Sequence, residues 1–173
     1  RTNQSSLPIM LSRSAWAGSQ RFGVGVWSGD TRSDFENLYN QVPAGLNMAL
    51  SGMSRWTFDI GGYMGGNNSD PRFQELVVRW FQLGTFVPIM RMHGARQCTV
   101  EEKGWFTDCP NEPWSFGKAN YEILSLMIRT RSKMKPYLKH MFEQASNTGR
   151  PPMRPLFFDF PQDQMVVNIQ DQY

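Results

Sequence analysis

The side chains best equipped for chemistry fall at regular places in this chain. Arg13 ends the apolar run 8–13, Trp27 and Asp30 end the run 22–30, Asp59 lies near the end of 55–62, and Arg91 and His93 lie near the end of 86–94. Two carboxylates, two guanidinium groups, an imidazole and an indole suit proton transfer and the binding of polar groups. Metal-assisted hydrolysis is not suggested, because His93 and His140 are far apart and the chain has neither H-E-x-x-H nor C-x-x-C. Gly23, Gly25 and Gly29 give G-x-G-x-x-x-G, one residue off the dinucleotide fingerprint. That segment also runs through Trp27-Ser28-Gly29-Asp30 where the fingerprint has already entered its helix. Ser54 does not sit in G-x-S-x-G, so a serine hydrolase is unsupported. At this level Asp30 has two open readings: a proton-transfer group, or the cap of a helix starting over 31–33.

The elements that must position these groups read as strands alternating with helices. Each apolar run has the length of a buried strand, and its capable residues lie at or just past its C-terminal end. That is the rim on which a β/α barrel carries its active site. Segment 33–41 carries apolar residues at helical spacing, and 44–50 reads as a further short helix. In 71–83, Phe73, Leu76, Val77, Trp80, Phe81 and Leu83 make an apolar stripe opposite Gln74, Glu75, Arg79 and Gln82. Asp70-Pro71 is a good helix start and Gly84 a good stop. Such alternation predicts a parallel sheet. A complete eight-stranded barrel takes about 250 residues, so the four strands expected in 173 residues read as part of one. The fold class predicted is α/β, the C-terminal half of a (β/α)8 TIM barrel (about its last four strands) leading into a β-sandwich.

Later segments refine the expected organisation. The long connection 95–118 is rich in aromatic and acidic residues (Glu101, Glu102, Trp105, Phe106, Asp108, Glu112, Trp114, Phe116) and would hang over the barrel mouth. Cys98 and Cys109 lie in it, where a disulfide could staple the loop, although two cysteines do not fix a redox compartment. A long helix is expected over 120–146, bent near Pro136, with His140 structural. The run 156–160 is expected to be a buried strand opening a second domain. The boundary expected is 1–149 for the barrel half and 150–173 for the start of a β domain.

Composition excludes several partners. The net charge of +3 is too small and dispersed to argue for nucleic acid, and Arg129, Arg131, Lys133 and Lys135 read as a solvated helix face. No apolar run is long enough to span a bilayer. The sequons at Asn3 and Asn67 are too common by chance to imply secretion, so the compartment stays unassigned.

The ordered motifs resemble glycoside hydrolase family 31, which includes α-glucosidases and α-xylosidases. The resemblance runs through Arg13-Ser14-Ala15-Trp16-Ala17-Gly18-Ser19-Gln20-Arg21, Trp27-Ser28-Gly29-Asp30, Asp59-Ile60-Gly61-Gly62-Tyr63, Arg79-Trp80-Phe81-Gln82-Leu83-Gly84 and Met90-Arg91-Met92-His93-Gly94. It continues in Glu112-Pro113-Trp114-Ser115-Phe116-Gly117 and Arg154-Pro155-Leu156-Phe157. The resemblance implies an exo-acting, retaining glycosidase that removes terminal α-linked glucose or xylose and needs no cofactor or metal. It also implies Asp30 as general acid/base and a nucleophile on the preceding strand. No Asp or Glu occurs between Arg1 and Val26, so no nucleophile is expected within this chain.

A pyranose needs paired polar partners for its hydroxyls and flat apolar surfaces for its faces. The resemblance gives the first task to Arg13, Asp59 and His93; Trp27, Tyr63 and Trp56 can serve the second, and Arg91 can orient a carboxylate. The family often has Phe where this chain has Tyr63, which adds a hydroxyl to the pocket. Transglycosylase and α-glucan lyase activities share these motifs, and a non-catalytic sugar-binding barrel is the alternative from another class. The expected partner is therefore an oligosaccharide or glycoside.

Overall fold

The computed structural model describes residues 10–98 and 109–173. The acidic and aromatic residues 101–108 expected over the mouth, the start of the run 8–13 and the Asn3 sequon lie outside the described residues. Three strands, β1 (Met10–Ser12), β2 (Val24–Trp27) and β3 (Trp56–Thr57), form a parallel sheet in that order. The register pairs Leu11 with Gly25 and Val26 with Trp56. The fourth run makes no continuous strand. It lies beside the third through Ile89 N–H to Trp56 C=O (3.1 Å), Ile60 N–H to Arg91 C=O (3.2 Å) and a parallel bridge between Ile60 and Met92. Beyond the rim, β4 (Gly66–Asn67) and β5 (Arg96–Gln97) pair in parallel. These two-residue strands are too short to leave an alternating signal in sequence.

Helix α1 (Phe35–Leu50) replaces the two helices expected over 33–41 and 44–50 and carries Pro43 inside it. A proline removes one helical donor. The buried face of Gln41, Val42, Gly45, Leu46 and Ala49 runs through that point and keeps the helix whole. Asp34 is its cap, accepting from Asn37 N–H at 2.7 Å. The structure therefore removes the capping role from Asp30.

Helix α2 (Pro71–Phe86) starts where expected, with Asp70 accepting from Arg72 N–H at 2.9 Å. Its predicted stripe is the core: Phe73, Leu76, Val77, Trp80 and Phe81 are buried with Phe58, Ile60 and Val87. Gly84 does not stop the helix. A Cβ there would stand 2.6 Å from Ile60 Cδ1, so this glycine lets the helix approach the sheet closely.

The long helix is two helices, α3 (Lys118–Lys133) and α4 (Lys135–Thr148), separated at Met134 just ahead of Pro136, near the expected bend. Arg131 is not part of a solvated face. Its guanidinium donates to Thr85 C=O (2.9 Å), Val87 C=O (2.7 Å) and Pro88 C=O (2.7 Å), closing the C-terminal end of α2. Cys98 and Cys109 are joined in a disulfide with their Cα atoms 5.5 Å apart.

The expected strand over 156–160 is instead a 3₁₀ turn, Leu156–Phe158. Pro155 precedes it, and Asp159 just after it accepts from Arg154 (2.8 and 3.1 Å) and from Arg150. These bonds, led by the one from Arg154, hold the Asp159 carboxyl below its ordinary value. A local ion-pair turn thus replaces the extended chain that the aromatic residues suggested. No described helix is long and apolar enough to cross a membrane.

Candidate active site

Each parallel strand delivers its side chains to the same end of the sheet, and direct contacts join them across strands. Arg13, one residue past β1, donates to Asp30 Oδ2 at 3.2 Å from the loop after β2. Asp59, in the turn after β3, is fully buried and paired with Arg91 from the fourth run. The Arg91 guanidinium carbon also lies 5.5 Å above the Trp27 ring at the end of β2. The Tyr63 and His93 rings stand 5.5 Å apart between centroids, tilted by 40°.

The loops bearing these groups hold one another. Tyr63 N–H and Met64 N–H donate to Thr31 C=O (2.8 and 3.0 Å), and Ala95 N–H donates to Tyr63 C=O (2.8 Å). The residues nominated from sequence therefore stand in one connected rim, with one exception. Trp56 is buried in the helix layer against Gly45 of α1 and Met153, so its ring packs the core.

The Asp59 carboxyl is perturbed by its surroundings. Burial raises its carboxyl above the ordinary carboxylate range; Arg91 and then His93 pull it down, while the negative charge of Asp30 adds to the rise. One of its oxygens takes Arg91, and the other, Oδ2, has no hydrogen-bond partner among the described residues. A buried acceptor left without a partner is costly for the fold to hold. No cluster of three or more metal-ligating side chains occurs among the described residues.

The shift has a consequence for stability. The folded chain binds this proton more tightly than the unfolded chain. The Asp59 contribution is thus most favourable below the unfolded carboxylate value of about 3.9 and declines as pH rises through the raised folded value. Asp59→Asn lacks that decline. Its melting temperature relative to the parent should therefore increase between about pH 4 and pH 7 in calorimetry. A difference that does not vary with pH would contradict a raised folded value.

Sequence reasoning passed over Arg96 and Asn111. Arg96 is wholly buried, and its Nε donates to Asn111 Oδ1 at 2.8 Å. The only sequence hints were the glycines around it, Gly61, Gly62 and Gly94, which mark close backbone approach.

Parallel strands packed on helices, with acids, a guanidinium pair and an imidazole gathered at one end of the sheet, define part of a β/α barrel. The profile described as the glycosyl hydrolases family 31 TIM-barrel domain matches residues 1–141. This chain belongs to glycoside hydrolase family 31. It is 41% identical over 165 residues to the α-xylosidase of Saccharolobus solfataricus, covering 95% of this chain and 21% of that protein. It is 42% identical over 176 residues to α-xylosidase A of Aspergillus niger, covering 95% of this chain and 24% of that protein. Among solved structures, a family 31 α-xylosidase from a soil metagenome, complexed with xylose, superposes with a TM-score of 0.89 at 47% identity. That match covers 95% of this chain and 26% of the other. The chain thus spans about a quarter or less of the length of these relatives.

Proposed function

We propose that this chain supplies one side of the active site of a retaining, exo-acting α-glycosidase that removes terminal α-linked xylose or glucose. The observation that carries this reading is the coupled pair Arg13–Asp30 and Arg91–Asp59 on adjacent strand ends. Asp30 is the general acid/base: as an acid it protonates the glycosidic oxygen as the bond breaks, and as a carboxylate it takes a proton from the incoming water. Asp59, held by Arg91, accepts sugar hydroxyls on its second oxygen. Arg13 and His93 bind further hydroxyls, and Trp27 and Tyr63 bound the ring.

The nucleophile of this mechanism belongs to a strand preceding β1, and these four runs are the last four strands of the barrel. The exposed Met10 and Leu11 on the edge strand β1 fit a neighbour on that side. The relatives named α-xylosidases make α-xylosides the first substrates to test. Proton NMR of the product as it forms should show a monosaccharide of α configuration. Initial β anomer would point instead to an inverting reaction of Asp30 with Asp59, and oligosaccharide products would contradict the exo reading.

A further inference from the structure

We propose that Arg96 is a positioning residue that locks the two rim loops carrying Asp59 and His93 into one register, and that Asn111 holds Arg96 in place. This rests on the reading of Asp59 and His93 as substrate-binding groups.

An arginine side chain has five N–H donors, and all five of those on Arg96 are used. Nη1 donates to Gly62 C=O (2.9 Å) and Ala95 C=O (3.0 Å), and Nη2 to Ile60 C=O (3.1 Å) and His93 C=O (3.3 Å). Nε donates to Asn111. Two acceptors come from the turn that begins at Asp59, and two from the segment that carries His93. One rigid fork therefore sets the spacing between the loops.

The backbone is built around the guanidinium. Gly61 has φ +91° and Gly94 φ +143°, and a Cβ on either would stand 2.9 Å or 2.6 Å from the Arg96 nitrogens. No described carboxylate forms an ion pair with Arg96, although its desolvated charge lies 5.1 Å above the Phe73 ring. Burial lowers its pKa to about 10, against the attraction of Asp59, so it remains charged near neutrality. Burying a charge is costly, and a neutral side chain could have filled this space at less cost. What a neutral side chain lacks is the four-carbonyl grip.

Asn111 is fixed independently of the guanidinium. The Cys98–Cys109 disulfide and the bond from Asn68 Nδ2 to Pro110 C=O (2.7 Å) bring the chain back beside β5, and Asn111 Nδ2 reaches Gly94 C=O at 3.5 Å. Loss of the Asn111 side chain should therefore leave the fold standing and let the fork rotate.

The test uses the full-length enzyme with whichever of 4-nitrophenyl α-xyloside and 4-nitrophenyl α-glucoside it turns over. Arg96→Lys, Asn111→Ala, Asp59→Asn and the Asn111→Ala/Asp59→Asn pair are compared. Arg96→Lys keeps the charge and loses the fork; it should lose about a hundredfold or more in kcat/KM. Asn111→Ala retains Arg96 and should lose about tenfold, with native near-UV circular dichroism. In the double variant the Asn111 loss should shrink, because the part of it exerted through the Asp59 carboxylate is already gone and only the part through His93 remains. Fully multiplicative losses, or wild-type kinetics for Asn111→Ala, would overturn the positioning role while leaving the site assignment intact. Wild-type kinetics for Asp59→Asn would instead remove the site assignment, and this proposal with it.

Discussion

Asp30→Asn in the full-length enzyme is expected to slow hydrolysis of oligosaccharides by roughly a hundred- to ten-thousand-fold, the range that a positioned general acid contributes. Aryl glycosides with very acidic leaving groups should be spared in the first step, because their departing oxygen needs no proton. Their second step still lacks its base, so a pre-steady-state burst of phenol should precede slow turnover. Equal slowing of both substrate classes in the burst phase would remove the acid/base role from Asp30. With the helix cap provided by Asp34, Asp30 is spared that structural task.

Asp59→Ala and His93→Ala should each cost about 2 to 4 kcal/mol in transition-state binding, or roughly 30- to 1,000-fold in kcat/KM. The larger loss belongs to Asp59. It is fully buried, and its replacement also leaves Arg91 without its carboxylate. The same position carries an opposing stability effect: the Asn variant should gain in relative stability toward neutral pH while losing activity. A group that the fold holds at a cost, and that activity requires, is a common mark of a functional site. A loss below about threefold for either Ala variant would remove it from the binding set.

What was legible in the sequence was whatever depends on period and position. The α2 stripe, the Asp70 start and the placement of Arg13, Asp30, Asp59, Arg91 and His93 past apolar runs follow from local patterns that the sheet geometry preserves. What failed depended on tertiary contact. Segments 33–41 and 44–50 read as two helices until the buried face that runs through Pro43 is seen. Gly84 reads as a stop until Ile60 is found against it. Leu156-Phe157-Phe158 reads as a strand because its aromatic residues suit one, yet Asp159 with two arginines folds it into a turn. Arg96 could not be found this way, because four of its five partners are backbone carbonyls, which carry no residue-type signal.

The reading that Asp30 serves a nucleophile outside this chain is tested most directly by Asp30→Ala supplied with an activated aryl α-glycoside and sodium azide. Azide needs no base to attack, so it should restore turnover and capture the sugar from the face that water normally takes. The account predicts an α-glycosyl azide. A β-glycosyl azide would mean that azide had replaced Asp30 as the attacking group, and the assignment of acid/base and nucleophile would have to be exchanged.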